Sequence, residues 1–315
     1  MLSIMKKSYV IVVVIFFSIL FYWYEVRKLN TPSSPIGKPI IVCTTSIIAD
    51  AVKNLVGELC DVISIMGPGI DPHLYKASSG DAYRINNADI IFYNGLHLEG
   101  KMGDIFESIK NQNKSIYAIT DGVPEYLLIR TEYENIFDPH IWHDVNLWRY
   151  VFNYIASILK KHYPNYRDII EKNRADYIEI LEELDFFVYQ QLSEIKYAKI
   201  LITSHDAFSY FSKRYNIPCY AVQGISTDSE PSIEDNEKIL NILLDNDIKT
   251  IFIEQTVCEN YLRNIQSIME MKGRKINIGS KLYSDALGEK NGNTYIQMIK
   301  ENVNAITQGL NDYEE

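Results

Sequence analysis

Short apolar runs alternate with amphipathic stretches from residue 39 to the C-terminus. Apolar runs of about four to eight residues predict buried strands, and apolar positions that recur every three or four residues predict helices. The predicted strands are IIVCTT, DVISIM, DIIFYNG, SIYAIT, KILITSH, IPCYAV, TIFIEQ and KINIG. The predicted helices are SIIADAVKNLVG, DAYRINNA, KMGDIFESIK, DAFSYFSKRY, SIEDNEKILNILLD, ENYLRNIQSIMEM and a last one from about Thr294 to Leu310. This alternation predicts an α/β fold with mainly parallel sheets flanked by helices.

One segment breaks the alternation between Tyr163 and Ile195. It reads YPNYRDIIEKNRADYIEILEELDFFVYQQLSEI, has no glycine, and carries its only proline near the start. Its apolar residues recur at helical spacing, which predicts a single helix. About thirty residues at about 1.5 Å each would span roughly 45 Å, more than one small domain needs. We therefore predict two lobes, residues 39–162 and 197–315, bridged by a backbone helix over residues 163–196.

The N-terminus has the features of an export signal or a membrane anchor. Lys6 and Lys7 precede an uncharged run from Ser8 to Tyr24, after which charged residues return. No cleavage site of small residues follows, which favours an uncleaved anchor over residues 1–28. The polar, proline-containing residues 29–38 are interpreted as a linker. Either alternative places the body outside the cytoplasm, at the outer face of the membrane or in the periplasm.

Charge and cysteine content narrow the function further. The net charge is −10, and because the first 28 residues carry +3, the remainder carries −13. Such acidity argues against a nucleic-acid partner, which needs clustered Lys and Arg. The four cysteines form no CxxC pair, so both one disulfide and buried single thiols remain open. The cysteines are Cys43, Cys60, Cys219 and Cys258.

Three of the six histidines stand at the end of a predicted strand or shortly after it, in GIDPHLY, FDPHIW and ITSHDAF. They are His73, His140 and His205. Ligands of open parallel sheets bind outside the carboxyl ends of the strands, so these three are well placed for a site. Two of them share an Asp-Pro-His tripeptide, in which proline restricts the backbone and aspartate forms a turn.

A carboxylate, Asp285 in KLYSDALGEK, follows the last predicted strand. Taken alone it is equally well interpreted as a helix cap. Together with three neutral imidazoles it completes a four-ligand set that suits zinc and is acceptable to manganese or iron. Glu254 ends the strand TIFIEQ. It is either structural or near the site, as a hydrogen-bond acceptor for a ligand imidazole or as a spare ligand. His97 and His162 are interpreted as structural, and Asp138 and Asp144 as turn and capping residues.

The chain resembles the metal-binding solute receptors of bacterial ABC importers for zinc, manganese and iron. The resemblance rests on GPGIDPHLYKASSGD, FYNGLHLEGKM, FDPHIWHDVNLW, SHDAFSYFSKRYNIP, IFIEQ and LYSDALGEKNGNTYIQMIKENVNAI, in this order, over about residues 39–310. It implies two lobes joined by a rigid helix, with the metal between them. It also implies that the ligands are His73, His140, His205 and Asp285.

Two features of the chain bear on the metal. Some manganese-selective relatives have a carboxylate where this chain has His205. The histidine favours zinc or a site of broader specificity, because nitrogen ligands suit zinc better than manganese. However, the loop of residues 121–137 lacks the His-rich tract of many zinc receptors. His143 stands where relatives commonly have an aromatic or aliphatic residue. We interpret it as a partly exposed histidine, with a hydrogen-bonding neighbour of the site as the alternative.

These patterns predict a monomeric receptor that captures Zn²⁺, Mn²⁺ or Fe²⁺ and delivers it to a membrane permease, with no catalytic activity. Four protein ligands close a tetrahedral site, whereas a zinc hydrolase keeps one position open for water. One alternative is a metal-dependent hydrolase that uses the three histidines with Glu254 as the base. The other is a surface adhesin built on the same fold.

Overall fold

A computed structural model describes residues 37–131, 136–197 and 199–312. The predicted anchor over residues 1–28 and the linker up to residue 36 lie outside these residues. Within the described part of the chain, no helix combines the length and apolar character needed to cross a membrane.

The described residues form eight strands and nine α-helices that alternate along the chain. The strands are β1 (Ile40–Cys43), β2 (Asp61–Ser64), β3 (Ile90–Tyr93), β4 (Ile116–Ala118), β5 (Leu201–His205), β6 (Cys219–Gln223), β7 (Thr250–Ile251) and β8 (Asn277–Ile278). The helices are α1 (Ser46–Val56), α2 (Ser79–Asn86), α3 (Gly103–Asn111), α4 (Val145–His162), α5 (Arg167–Ser193), α6 (Ser209–Tyr215), α7 (Ile233–Asp245), α8 (Asn260–Met271) and α9 (Tyr295–Asn311). The α/β fold class is confirmed, and α4 is a helix that the pattern did not single out.

All the strand pairs within the two halves are parallel. In the first half the order is β2-β1-β3-β4. In the second half β5 pairs with β6 and β7 with β8. A hydrogen bond of 2.8 Å from the backbone N–H of Phe252, just after β7, to the carbonyl of Ile202 in β5 joins the two pairs. The resulting order β6-β5-β7-β8 repeats that of the first half, so each half has its own switch point for a ligand.

The long helix begins later than predicted, because residues Pro164–Tyr166 form a 3₁₀ turn before α5 starts at Arg167. Its 27 residues span about 40 Å at about 1.5 Å per residue. It packs against α1 and α4 of the first half and against α6 and α9 of the second. The contact face is apolar at helical spacing and consists of Ile170, Tyr177, Leu181, Leu184, Val188 and Leu192.

A single hydrophobic cluster extends from the first sheet through α5 into the second half. It includes Phe92 of β3, Trp148 of α4, Leu181 of α5 and Tyr295 of α9, all buried. Two smaller clusters lie on the outer faces of the sheets. The predicted strand TIFIEQ is shorter than expected: β7 ends at Ile251, and Glu254 forms only an isolated parallel bridge with Leu282. This bridge continues the pairing of β7 and β8 towards the carboxyl ends of the strands, where the candidate ligands lie.

Candidate metal centre

Four buried side chains from four separate segments meet at the carboxyl ends of the strands. One ligand atom from each of His73, His140, His205 and Asp285 lies within 4.8 Å of the others. His73 lies in the turn after β2, and His140 immediately precedes a 3₁₀ turn. His205 is the last residue of β5, and Asp285 lies between β8 and α9. The structure thus brings together all four residues that the sequence predicted as ligands.

The two Asp-Pro-His tripeptides fold into the same kind of turn. The backbone N–H of His73 donates to Asp71 Oδ1 at 2.8 Å, and that of His140 donates to Asp138 Oδ1 at 2.9 Å. An aspartate that accepts from the backbone two residues on is a standard turn former, and the intervening proline fixes its own φ. Each turn therefore presents its imidazole in a defined direction.

Buried carboxylates hold two of the three imidazole rings by Nδ1. Asp138 Oδ1 lies 2.8 Å from His140 Nδ1. Glu254 Oε2 accepts from His205 Nδ1, and Glu254 Oε1 accepts from the backbone N–H of His205 at 2.9 Å. A carboxylate at Nδ1 assigns the proton to that nitrogen and leaves the Nε2 lone pair for a metal. Glu254 is therefore a ring-orienting acceptor, one of its two predicted roles.

The metal-facing atoms of the four side chains converge on one point. His73 Nε2 lies 3.2 Å from His140 Nε2. Asp285 Oδ1 lies 3.5 Å from His140 Nε2, and Asp285 Oδ2 lies 3.4 Å from His205 Nε2. Within the described residues, the buried His205 Nε2 and Asp285 Oδ1 have no hydrogen-bond partner. Buried polar atoms are normally satisfied, so these two atoms fit a bound cation.

Burial and neighbouring charge set the protonation of these groups. Burial alone would lower the pKa of His205, but the carboxylates of Glu254 and Asp285 outweigh it and hold that pKa well above its usual value. Burial likewise opposes ionisation of Asp285, yet the nearby imidazoles, His205 foremost, hold its pKa well below the usual range. Burial lowers the pKa of His73 to about 3. At neutral pH without metal, His205 is therefore an imidazolium whose Nε2 proton a metal must displace, Asp285 is ionised and His73 is neutral.

Asp285 is held in place from both halves of the molecule. Its Oδ2 accepts from Thr256 Oγ1 at 3.1 Å. The carbonyl of the preceding residue, Ser284, accepts from Trp142 Nε1 at 2.6 Å and lies 3.0 Å from His143 Nε2. The loop that carries Asp285 is thereby joined to the turn that carries His140.

His143 is buried, so its interpretation as a partly exposed histidine is wrong. Its ring stacks on Phe208, with centroids 4.3 Å apart, and it does not belong to the group of four. Burial lowers its pKa to about 3, so it is neutral and carries its proton on the Nε2 that faces the Ser284 carbonyl. Phe208 and Ser284 are distant in sequence, so no local pattern around residue 143 predicts this environment.

Asp138 and Asp144 have different roles, although the sequence suggested turn or cap functions for both. Asp144 is a helix cap: its Oδ1 accepts from the backbone N–H groups of Asn146 and Leu147. Asp138 forms its turn and also holds the ring of His140. The tripeptide that it shares with His140 is the one local signal for this second role. His97 and His162 lie outside the group, and His162 pairs with the hydroxyl of Tyr117 at 2.7 Å.

The chain covers most of several proteins with named functions. It is 39% identical over 273 residues, 86% of this chain and 89% of the other, to the manganese-binding lipoprotein MntA of Bacillus subtilis. It is 36% identical over 278 residues, 87% of this chain and 89% of the other, to the zinc-binding protein TroA of Treponema pallidum.

The fold agrees with solved structures of such proteins. The periplasmic zinc-binding protein TroA from Treponema pallidum matches with a TM-score of 0.84 and 35% identity, covering 87% of this chain and 99% of the other. The Fe(III)-bound YtgA of Chlamydia trachomatis matches with a TM-score of 0.79 and 27% identity, covering 87% and 98%. Residues 41–309 match the family ZnuA, described as the periplasmic component A of a zinc-uptake complex. Because this match spans both halves and all four clustered side chains, the chain belongs to the ZnuA family of metal-binding receptor proteins.

Proposed function

We propose that the protein captures a divalent transition-metal ion at His73, His140, His205 and Asp285 and delivers it to an ABC permease. The observation that carries this proposal is the convergence of four buried ligand atoms within 4.8 Å of one another. Three imidazole nitrogens and one carboxylate oxygen form the donor set of a four-coordinate zinc site. The metal is the transported substrate, in line with a further relative, PsaA of Streptococcus pneumoniae, which is named as a manganese ABC transporter substrate-binding lipoprotein.

Zinc is the favoured metal, with manganese and iron as further substrates of the same site. Three nitrogen donors match zinc better than manganese, which prefers oxygen. The relatives are named for different metals: manganese for MntA, zinc for TroA and Fe(III) for YtgA. Exchange of the imidazole at position 205 for a carboxylate, combined with removal of the Glu254 charge that would face it, would shift this preference towards manganese.

The site is suited to holding a metal rather than to catalysis. A hydrolase built on the three histidines would need Glu254 as the base for a metal-bound water. Both oxygens of Glu254 already accept hydrogen bonds from His205, one from its ring and one from its backbone. Asp285 fills the fourth ligand position that such an enzyme leaves open for water.

The rest of the chain has roles consistent with a receptor. Residues 39–162 and 197–315 are the two metal-binding lobes, and residues 163–196 are the linking helix. Residues 1–28 hold the monomeric protein at the outer face of the cytoplasmic membrane, and residues 29–38 act as the linker. MntA, one of the relatives, is named as a lipoprotein. The continuous core through α5 opposes a large hinge rotation, so metal exchange proceeds by local movement of loops around Asp285.

Metal content measures this function directly. The full-length protein, purified in mild detergent without chelator, is compared by elemental analysis with the variants His140→Ala and Asp285→Ala. The variant His162→Ala is the control, because His162 lies outside the group of four. We expect about one zinc, manganese or iron per chain in the parent and control, and less in both site variants. A parent that holds no metal after titration with all three ions would refute the proposal.

A further inference from the structure

The three histidines of the site are not held in the same way. Carboxylates hold the rings of His140 and His205 by Nδ1. In the described part of the chain, His73 has no carboxylate at its Nδ1, and its one aspartate contact is through its backbone N–H to Asp71 Oδ1. The position of its ring therefore depends on what fixes the turn that carries it.

That turn is fixed from the second half of the molecule. The hydroxyl of Thr227 donates to Asp71 Oδ2 at 2.6 Å, while Asp71 Oδ1 accepts from His73 at 2.8 Å. One carboxylate thus joins Thr227 of the second half to His73 of the first. A second crossing bond runs from the backbone N–H of Gly69 to the carbonyl of Leu287 at 3.1 Å.

The loop that carries Thr227 is tied to another ligand. Gln223, at the end of β6, is the register partner of His205 in β5. Its buried side-chain Nε2 donates to the carbonyl of Thr227 at 3.0 Å and to that of Ser229 at 2.6 Å. A continuous path of paired groups therefore runs from His205 through Gln223, Thr227 and Asp71 to His73, and it passes around the metal site.

We propose that Thr227 is a positioning residue whose hydroxyl, acting through Asp71, holds His73 in its metal-binding position and slows release of the metal. This inference rests on the proposed function. Thr227 touches no metal, so its effect reaches the site only through the carboxylate. When the loops around the site move to release the metal, separation of His73 from the second half breaks the bond between Thr227 and Asp71.

A neighbouring ion pair also joins the two halves, but it is too weak to hold the turn of His73 in place. Lys101 Nζ lies 2.7 Å from Asp228 Oδ2, next to Thr227, but both side chains are largely exposed. Exposed ion pairs contribute little, because solvent screens them. The hydroxyl of Thr227 is half-buried and donates to a carboxylate that is itself bonded to a ligand residue. A hydrogen bond to a charged group is stronger than an ordinary one.

Two matched pairs of variants isolate the hydroxyl. The first pair is the parent Thr227 and Thr227→Val, which both have a γ-methyl group but of which only the parent has the hydroxyl. The second pair is Thr227→Ser and Thr227→Ala, which both lack the γ-methyl group and of which only Thr227→Ser has the hydroxyl. The full-length protein in mild detergent is loaded with Zn²⁺ and mixed with excess chromogenic chelator, and the rate of zinc release is recorded. Thr307→Val is the control, because Thr307 is also half-buried and donates to a backbone carbonyl, that of Gln191, far from the site.

We expect zinc to leave about tenfold faster from Thr227→Val than from the parent, and about tenfold faster from Thr227→Ala than from Thr227→Ser. This is the ratio given by one hydrogen bond to a charged group. The control should stay within about twofold of the parent, as is usual for changes remote from the site. Full zinc content with equal release rates within each pair would overturn the role of Thr227 and leave the metal-binding function intact. A parent that takes up no zinc would instead refute that function and this inference together.

Discussion

Replacement of Glu254 by glutamine should weaken metal binding although Glu254 touches no metal. The carboxylate accepts from two donors of His205, its ring Nδ1 and its backbone N–H. The two donors bind different oxygens of Glu254, and glutamine has a carbonyl oxygen at only one of these positions and an N–H donor at the other. If its amide N–H faces the ring, the imidazole proton moves to Nε2, the atom that must bind the metal.

The expected size of the effect follows from this exchange. Loss of a buried partner that orients a ligand histidine lowers metal affinity by about 10- to 100-fold, or about 1.4 to 2.8 kcal/mol. Proton release should change as well. Attraction by Glu254 helps to hold the pKa of His205 well above its usual value, so zinc binding at neutral pH displaces a proton. In the variant a smaller fraction of His205 is protonated before zinc binds, so fewer protons are released per zinc bound.

Isothermal titration calorimetry in two buffers with different ionisation enthalpies measures both the affinity and the number of protons released. Glu259→Gln is the control, because it makes the same chemical change at a partly exposed glutamate that pairs with Arg263 and Lys281, away from the group of four. We expect parental values for the control. A Glu254→Gln variant with parental zinc affinity and parental proton release would refute the assignment of Glu254 as the group that orients His205.

Three further predictions concern neighbours of the ligands. Asp138→Asn keeps an acceptor for His140 but removes the charge, so zinc affinity measured by chelator competition should fall about tenfold. A zinc affinity equal to the parent's would contradict this role of Asp138. Unfolded His143 binds a proton below about pH 6.5 and folded His143 only near pH 3, so low pH favours unfolding. Denaturant titrations of the apo protein at pH 5 and pH 6 measure this. The free energy of unfolding should rise with pH less steeply in His143→Phe than in the parent, by about 1.4 kcal/mol per pH unit. A slope equal to the parent's would contradict the buried neutral state of His143. His205→Glu alone should bind zinc and manganese poorly, because its carboxylate meets that of Glu254. His205→Glu combined with Glu254→Gln should favour manganese more than the parent does. Competition between the two metals tests this, and a manganese-to-zinc affinity ratio equal to the parent's would count against it.

The sequence predicted the parts of the site that depend on local structure. Each Asp-Pro-His tripeptide defines its own turn, so the local backbone at His73 and His140 could be predicted without a structure. Their placement directly at strand ends was wrong, because β2 ends at Ser64 and β4 at Ala118, and only His205 ends a strand. The end of the strand TIFIEQ likewise placed Glu254 near the ligands. Contacts between distant segments were not accessible in this way. The burial of His143 depends on Phe208 and Ser284, and the bond from Thr227 to Asp71 joins loops 156 residues apart.

The buried carboxylates in and around the proposed site also explain why it favours a divalent over a monovalent ion. Asp138, Glu254 and Asp285 contribute three buried carboxylates around three imidazoles. Without metal, the proton on His205 offsets one of these charges, and a buried charge that is not compensated is unfavourable. A divalent ion replaces that single proton with two positive charges, so the buried charge is better balanced with the metal than without it. A monovalent ion would only equal the proton that it displaces. Charge balance therefore favours a divalent ion over a monovalent one, and the nitrogen-rich ligand set then selects among the divalent ions.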